Sequence, residues 1–256
     1  STSRSGAVVH AYGTSFEVGA DKIGDTSILP AENHGATVDL YAVWVDSDFG
    51  VLSGKDKDST WGLETNPFVI SDVQHLKNLS DIVNGSRDPV DSVDGVFYGE
   101  NINTAASNIT FAGCYFVVAA DLGTADAQIA LVPIGKDNTH YFAGTIFGGN
   151  DSDANNRTMR TINLNIQQSG VSNVGLFGYV KGATISHLTT AGTIVGGAAV
   201  GGLVGYADGV TISNCRNNAT VTGAYMIGGF VGFGNNVTIT SSVNNADCLL
   251  YTSDAA

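Results

Sequence analysis

The second half of the chain repeats its hydrophobic and polar positions with a fixed period of 27 residues. Three segments align without a gap: NVGLFGYVKGATISHL (173–188), VGGLVGYADGVTISNC (200–215) and IGGFVGFGNNVTITSS (227–242). Apolar and polar residues alternate within them, as in Thr211-Ile212-Ser213, which is the period of a strand with one buried face. Because one unit of this length cannot bury its apolar face alone, a strict repeat indicates stacked copies. The pattern predicts an all-β fold, a parallel β-helix (β-solenoid) in which each repeat forms one turn.

Upstream of the repeats, the hydrophobic period changes from that of a strand to that of a helix within residues 66–84. A short strand is followed by Ser71 and Gln74, which fit the S-x-x-Q capping box at the start of a helix. One helix face would then carry Val73, Leu76, Leu79, Ile82 and Val83. Since the end of a β-solenoid exposes unpaired strand edges, we expect this helix to cap the N-terminal end of the solenoid.

The charge balance excludes several partners. The 256 residues contain 24 Asp and Glu against 11 Lys and Arg, a net charge of −13. Nucleic-acid binding and docking on anionic lipid both require a basic surface, so neither is expected. No run of about 18 apolar residues is present, so we expect no membrane insertion in this fragment. The first ten residues have neither an initiator Met nor a signal-peptide core, and we expect the chain to be a piece of a longer protein.

The last nine residues have a different character. The string CLLYTSDAA (248–256) corresponds codon for codon to a translated sequencing-library adapter, and it begins where the third repeat should continue with an apolar residue. We therefore expect residues 248–256 to be an artefact that interrupts the third repeat, so that the native part of this fragment stops at residue 247 while the parent protein continues. Cys114 and Cys215 then remain, too few for a disulfide framework, and both are expected to be buried free thiols.

Short glycine motifs in the repeats carry a family resemblance. GLFG (175–178), GLVG (202–205) and GFVG (229–232), each followed by a T-I-x strand, resemble the GLUG repeat over roughly residues 171–247. The resemblance implies a secreted bacterial protein, commonly an adhesin or a large surface protease that carries such repeats outside its catalytic domain. The segments 111–123 and 132–150 resemble the leading part of the same surface proteins.

The N-terminal segment resembles a different module. GATVDLYAVW (35–44) is similar to the closing strand of the Listeria–Bacteroides repeat, a small stalk module of surface proteins. The expected order is a partial stalk repeat (1–45), a linker (46–62), a capped entry to the β-solenoid (63–170), the GLUG-type repeats (171–247) and the adapter-like tail (248–256).

Motifs for catalysis are missing from the sequence. It contains no HExxH and no G-x-S-x-G, and all four glutamates lie outside the repeats. We therefore expect neither enzymatic activity nor a cofactor. Asp151, Asp153 and Asn155 match the first three ligand positions of a calcium loop, but Asn156 and Ile162 stand where that loop needs Gly and Glu. A solvated insertion is the favoured interpretation, with a calcium site as the alternative.

Two columns of hydroxyl side chains are the candidate ligand surface. Thr184 with Ser186, Thr211 with Ser213, and Thr238 with Thr240 would form two parallel outward rows on a flat face. Such rows can bind glycan hydroxyls or order water as on ice. The competing interpretation is that Thr and Ser are ordinary solvent-side strand residues that pair across turns.

Two further columns favour structural interpretations. Tyr179, Tyr206 and Phe233 are predicted to form an internal aromatic ladder, with a sugar-stacking platform as the alternative. His187 shares its repeat position with Asn214 and Ser241 and is predicted to be a polar turn residue, not a metal ligand.

Taken with the resemblance, these patterns predict a non-catalytic fragment of an extracellular, bacterial cell-surface protein. Its solenoid would mediate adhesion to glycans or proteins of a host or neighbouring cell through many weak contacts. One alternative is a non-catalytic spacer of a large secreted protease related to IgA peptidases. Another is a binder of ice or polysaccharide surfaces that uses the Thr and Ser rows. The open C-terminal turn also predicts end-to-end self-association.

Overall fold

A computed structural model describes residues 44–45, 52–53, 62–86, 109–149 and 157–250. These residues belong to one compact unit that begins at Trp44. Strands β1 (Trp44–Val45) and β2 (Leu52–Ser53) pair antiparallel, so part of the expected linker contributes to a two-stranded sheet. Almost all of the expected stalk repeat and the rest of the linker up to residue 61 lie outside the described residues.

The entry to the solenoid contains four further strands and one helix. They are β3 (Phe68–Ile70), α1 (Val73–Val83), β4 (Tyr115–Val118), β5 (Thr145–Gly148) and β6 (Arg160–Gln167). The repeats then supply β7 (Phe177–Lys181), β8 (Thr184–Ser186), β9 (Leu188–Val195), β10 (Ala198–Gly201), β11 (Val204–Asp208), β12 (Thr211–Ser213), β13 (Arg216–Gly223), β14 (Tyr225–Gly228), β15 (Val231–Asn235), β16 (Thr238–Thr240) and β17 (Val243–Asn244), and the first residues of the adapter-like tail supply β18 (Cys248–Leu250).

These strands stack in parallel as a β-solenoid of about five turns, which confirms the predicted fold class. Three sheets of three or more strands run along it, and a shorter parallel sheet pairs β10 with β14. We call the sheet with the strand order β16-β12-β8-β5-β4-β3 the threonine face, and the sheet with the order β15-β11-β7 the tyrosine face. The long face is the sheet with the order β17-β13-β9-β6, in which β18 also pairs with β13. Within the repeats every strand pairing joins residues at equivalent repeat positions, for example Ile212 with Ile185.

The inward side chains form one continuous core along the solenoid. Ile185 and Ile212 are fully buried, as the alternating pattern predicts. At the entry, the core is aromatic: the ring centroids lie 5.1 Å apart for Phe68 and Phe116, 5.8 Å for Phe116 and Phe142, and 5.1 Å for Phe142 and Phe177. The interior therefore does contain an aromatic ladder, but it is built from these phenylalanines.

Helix α1 begins one residue later than the capping box predicts. Asp72, in an extended conformation, is the N-cap, and its carboxylate accepts a hydrogen bond from the His75 backbone N–H at 2.9 Å. The backbone N–H of Ser71 instead donates to His75 Nδ1. The position of Ser71 as N-cap was wrong because Asp72 is an equally strong cap and lies one residue nearer the apolar face.

The predicted apolar face of α1 is confirmed. Leu76, Leu79, Ile82 and Val83 are buried in the core, and Val73 packs against it. Ser80 Oγ donates to the Val132 carbonyl at 2.6 Å, which ties the helix to the segment that leads into the next turn. The helix therefore lies at the N-terminal end of the core, beside β3, as a cap.

A polar ladder, buried at Thr190 and Asn217 and exposed at Asn244, crosses the repeats. Asn217 is fully buried; its amide oxygen accepts from the Thr190 hydroxyl at 2.9 Å and from the Ala219 N–H at 3.0 Å. Its amide nitrogen donates to Asn244 Oδ1 at 2.8 Å. Thr190, Asn217 and Asn244 thus satisfy one another across three consecutive turns, which a polar group inside a core requires.

Candidate ligand-binding face

The hydroxyl side chains predicted as one row do align in the structure. Thr184, Thr211 and Thr238 pair in register on β8, β12 and β16, and the isoleucine that follows each of them points inward on the first two strands. Thr211 and Thr238 are exposed, and Thr184 is half-buried. Adjacent members of the row are separated by the spacing of neighbouring strands, about 4.8 Å.

The structure adds a fourth member to this row. Thr145 on β5 pairs in register with Thr184, so the row runs over four strands. Thr145-Ile146-Phe147 has the same Thr-Ile-x pattern as the repeats, but Thr145 lies farther from Thr184 along the chain than Thr184 lies from Thr211. Because the longer spacing breaks the alignment of the repeats, the sequence pattern alone did not reveal this residue.

The second row differs from the expectation at its first member. Ser186 is only 2% exposed, whereas Ser213 is half-buried and Thr240 exposed. The Arg157 guanidinium covers Ser186: its Nη1 donates to Ser186 Oγ at 3.0 Å, and its Cζ lies 4.3 Å from the centroid of the Phe147 ring. Both hydroxyl rows are therefore accessible together only on β12 and β16.

The aromatic column lies on the outer surface, so its interpretation as an internal ladder was wrong. The rings of Tyr179 and Tyr206 stack with centroids 4.3 Å apart, and those of Tyr206 and Phe233 with centroids 4.8 Å apart. None of the three belongs to the core, and Phe233 is 39% exposed. Each ring covers a face of its neighbour, and Lys181 Nζ lies 5.7 Å from the centroid of the Tyr179 ring, so Tyr206 offers a ligand no open ring face. A sugar that stacks on an open ring face fits this column poorly.

A polar row follows the aromatic column. Lys181, Asp208 and Asn235 pair in register, and Asn235 Nδ2 donates to Asp208 Oδ1 at 2.8 Å.

Burial raises the pKa of the Tyr179 hydroxyl to about 12, with further contributions from its hydrogen bond to Tyr206 and from the Asp208 carboxylate. The tyrosine face therefore presents a neutral phenol at Tyr179 at physiological pH.

His187 is a turn residue, as predicted. It has a positive φ of 55°, as do Asn214 (51°) and Ser241 (49°) at the same repeat position between the threonine and long faces. Burial, together with the nearby Arg157 charge, lowers the pKa of the His187 imidazole. The side chain is therefore neutral at physiological pH. The residue forms the corner between the threonine and long faces of the solenoid.

The remaining candidates contribute no site within the described residues. Cys114 and Cys215 are free and buried, as expected, and burial raises the pKa of both thiols to about 11. In the part of the chain that the structure describes, no group of three His, Cys, Asp or Glu side chains is placed to hold a metal ion. The calcium candidates Asp151, Asp153 and Asn155 lie outside it. None of the described helices is long and apolar enough to cross a membrane.

Comparisons with known proteins give no relative for this chain. No protein-family model matches it, and neither curated proteins nor solved structures yield a match. The resemblance to GLUG-type surface proteins therefore depends on the motif residues alone.

Proposed function

We propose that this chain is part of a non-catalytic bacterial surface protein that uses its β-solenoid for adhesion to glycans or proteins of a host or neighbouring cell. The observation that carries the proposal is the in-register row of Thr145, Thr184, Thr211 and Thr238. Each threonine offers a hydroxyl that donates and accepts hydrogen bonds, next to a methyl group that can contact the C–H surface of a sugar. The repeating chemistry of a glycan chain matches a row of this kind.

The energetics favour binding by addition of weak contacts. One hydrogen bond contributes about 0.5–1.5 kcal/mol net, so a single threonine binds nothing tightly. The strands β5, β8 and β12 are paired on both sides, which fixes the backbone of their threonines before a ligand arrives. Preorganisation lowers the entropic cost of each contact, and several parallel chains on one cell surface add avidity.

The extracellular location and the lack of catalysis belong to the same proposal. The glycine motifs support a secreted bacterial origin through their resemblance to GLUG-type proteins. Raised thiol pKa values make Cys114 and Cys215 poor nucleophiles, which supports a role without covalent chemistry for these two residues.

The test measures binding of the full chain to arrays of bacterial and mammalian surface glycans and to intact cells. Thr211→Val with Thr238→Val removes two exposed hydroxyls while it keeps the shape of the strands, and we expect at least a tenfold weaker interaction. Thr193→Val with Thr220→Val makes the same change on the long face and should leave binding unaltered. Binding that survives the first pair of substitutions would exclude the threonine row.

Two rival functions give different outcomes in the same set of measurements. Wild-type protein without affinity for any glycan or cell would favour a spacer, and a zinc-protease motif downstream in the parent gene would identify it as one. The accessible square of Thr211, Ser213, Thr238 and Thr240 supports an ice or polysaccharide surface as the third candidate. Thermal hysteresis that is lost in Thr211→Val would establish ice binding; hysteresis that persists would exclude these rows.

A further inference from the structure

The threonine row has an aromatic residue at its N-terminal end. Tyr115 on β4 pairs in register with Thr145. The next residue on β4, Phe116, is fully buried in the core, whereas Tyr115 is half-buried. Because side chains alternate along a strand, the Tyr115 ring lies on the outer side of the sheet, as the threonines do. The full column is Tyr115, Thr145, Thr184, Thr211 and Thr238.

The Tyr115 ring is placed differently from the rings of the tyrosine face. Tyr179 and Tyr206 cover each other with centroids 4.3 Å apart, whereas no aromatic ring among the described residues stacks on Tyr115. The backbone N–H of Tyr115 donates to the Gly62 carbonyl at 2.8 Å, and β4 is paired on both sides, so the residue is held in place. A tyrosine has few rotatable bonds, so ordering its ring on a ligand costs little entropy. The ring therefore provides an apolar surface for the C–H face of a sugar at one end of the row.

The strands of the threonine face carry no charge. None of its six strands contains Asp, Glu, Lys, Arg or His. The strands of the other two faces do contain charges, with Lys181 and Asp208 on the tyrosine face and Arg160 and Arg216 on the long face. The threonine face therefore offers hydroxyl, methyl and aromatic groups but no ion-pair partner within its strands.

Arg157 adds no free charge to this face. Its Nη1 donates to Ser186 Oγ at 3.0 Å, and its Cζ lies 4.3 Å from the centroid of the Phe147 ring, so the guanidinium is engaged within the protein. The whole chain carries a net charge of −13, whose field repels anions. An acidic glycan on the threonine row would lose part of the hydration of its acidic groups without gaining a cation in return.

We infer that the threonine row binds a neutral glycan chain that lies across the strands, along the solenoid axis, with one sugar packed on Tyr115. The inference rests on the proposed function and adds to it the class of ligand and a residue that determines specificity. A neutral glycan presents hydroxyls and C–H surfaces, which match the hydroxyl and methyl groups of the threonines and the ring of Tyr115. Glycans that carry sialic acid, uronic acid or sulfate are rejected. Since the ring lies at one end of the row, the glycan binds in one direction.

The first test compares matched glycans with the wild-type protein. An array carries neutral glycans, each beside the same glycan bearing sialic acid or sulfate, and binding of the full chain is measured at low and at high sodium chloride. We expect the neutral members to bind at least tenfold more tightly, with an affinity that salt leaves unchanged because no ion pair forms. Equal or tighter binding of the acidic members overturns the inference, as does an affinity that falls with salt. Either result leaves adhesion to glycans standing.

The second test changes the ring. Tyr115→Leu removes the aromatic face and should weaken binding at least tenfold, whereas Tyr115→Phe keeps that face and should lose less. Tyr225→Leu is the matched control, because Tyr225 is 58% exposed on β14, outside the threonine face, and this variant should bind like the wild type. Circular dichroism and thermal unfolding of each variant distinguish lost binding from lost folding. If Tyr115→Leu does not fold, the comparison of matched glycans decides.

The outcomes distinguish this inference from the proposed function. Binding that is weakened in Thr211→Val with Thr238→Val but unchanged in Tyr115→Leu overturns the role of Tyr115 and keeps the threonine row as the glycan site. Wild-type protein that binds cells but no glycan overturns the inference and leaves adhesion to a protein. Wild-type protein that binds neither overturns both.

Discussion

Gly202 lies against the buried side chain of Asn217 within the same turn of the solenoid. A Cβ atom on residue 202 would collide with the Asn217 amide and with the Gly229 carbonyl oxygen. Gly229 has the same relationship to Asn244 one turn later. The first glycine of the G-L-V-G motif therefore provides the space that the internal asparagine ladder occupies, which links two separate columns of the repeat.

Replacement of Gly202 by alanine should destabilise the fold by about 1–3 kcal/mol, the usual cost of overpacking a filled interior. The added methyl group meets a carbonyl oxygen and an amide that is held by hydrogen bonds, so neither can move freely. Thermal unfolding followed by circular dichroism would measure the loss. Gly234→Ala is the control because its added Cβ would meet only side-chain atoms of Val237 and Val231, the nearest at 3.1 Å, on the open last turn. An equal loss of stability in Gly202→Ala and Gly234→Ala would contradict the close packing of Gly202 against Asn217.

The asparagine ladder should be costly to interrupt. Asn217→Ala leaves the Thr190 hydroxyl and the Ala219 N–H without their buried acceptor, and we expect a loss of about 1–3 kcal/mol or more for the unpaired groups. Denaturant unfolding of the variant gives this value. Asn245→Ala removes only an exposed hydrogen bond to Asn218 and should change stability little. A small effect of Asn217→Ala would mean that water replaces the amide inside the solenoid.

Substitution of Asp72 and of Ser71 tests which of the two residues is the N-cap of helix α1. Asp72→Ala removes the acceptor for the His75 N–H and should destabilise the protein by about 1 kcal/mol. Ser71→Ala keeps that hydrogen bond, so its effect should be smaller. The opposite order in a denaturant titration would restore Ser71 as the cap predicted from the capping box.

The three cysteines should differ in reactivity. Cys114 and Cys215 are buried, whereas Cys248 is exposed. A thiol reagent such as DTNB should modify one cysteine per native chain and two more after unfolding. Native Cys248→Ala protein should not react. Rapid modification of more than one thiol in the native wild type would show that the core opens at Cys114 or Cys215.

Stability should fall at alkaline pH because of the two buried thiols. Burial raises the pKa of Cys114 and Cys215 from 9.0 to about 11, although hydrogen bonds with the backbone of Leu188, Ser213 and His187 oppose this at Cys215. The folded state then holds both protons more tightly than the unfolded chain. This contribution is complete below pH 9 and is lost as the pH rises from 9 to 11. Denaturant midpoints measured across that window should fall less in Cys114→Ala with Cys215→Ala than in the wild type.

The repeat pattern could predict much of the fold because each column repeats the same physical requirement. Ile185 and Ile212 are recognisable as core because Thr and Ser flank them on a strand. His187, Asn214 and Ser241 are recognisable as corners because polar residues tolerate positive φ in turns. The apolar face of α1 likewise followed from helical periodicity.

Other features were missed where local patterns compete or spacings change. Asn217 and Asn244 occupy the same repeat position, so the asparagine column is visible in the sequence. It was missed because a polar residue in a strand normally faces solvent. Tyr179 and Tyr206 resemble core residues by composition, and only the stacking of the turns places their rings on the outside.

The sequence by itself determined the repeat length, the parallel stacking of strands and the burial of the isoleucines on the threonine face, Ile185 and Ile212. These depend on the period of side chains along a strand and on glycines at fixed spacing, which are local properties. Only the tertiary structure decided that Thr145 extends the threonine row and that Arg157 covers Ser186. Both depend on which chain segment forms the neighbouring turn of the solenoid. Those segments differ in length, so a single repeat period does not predict where they lie.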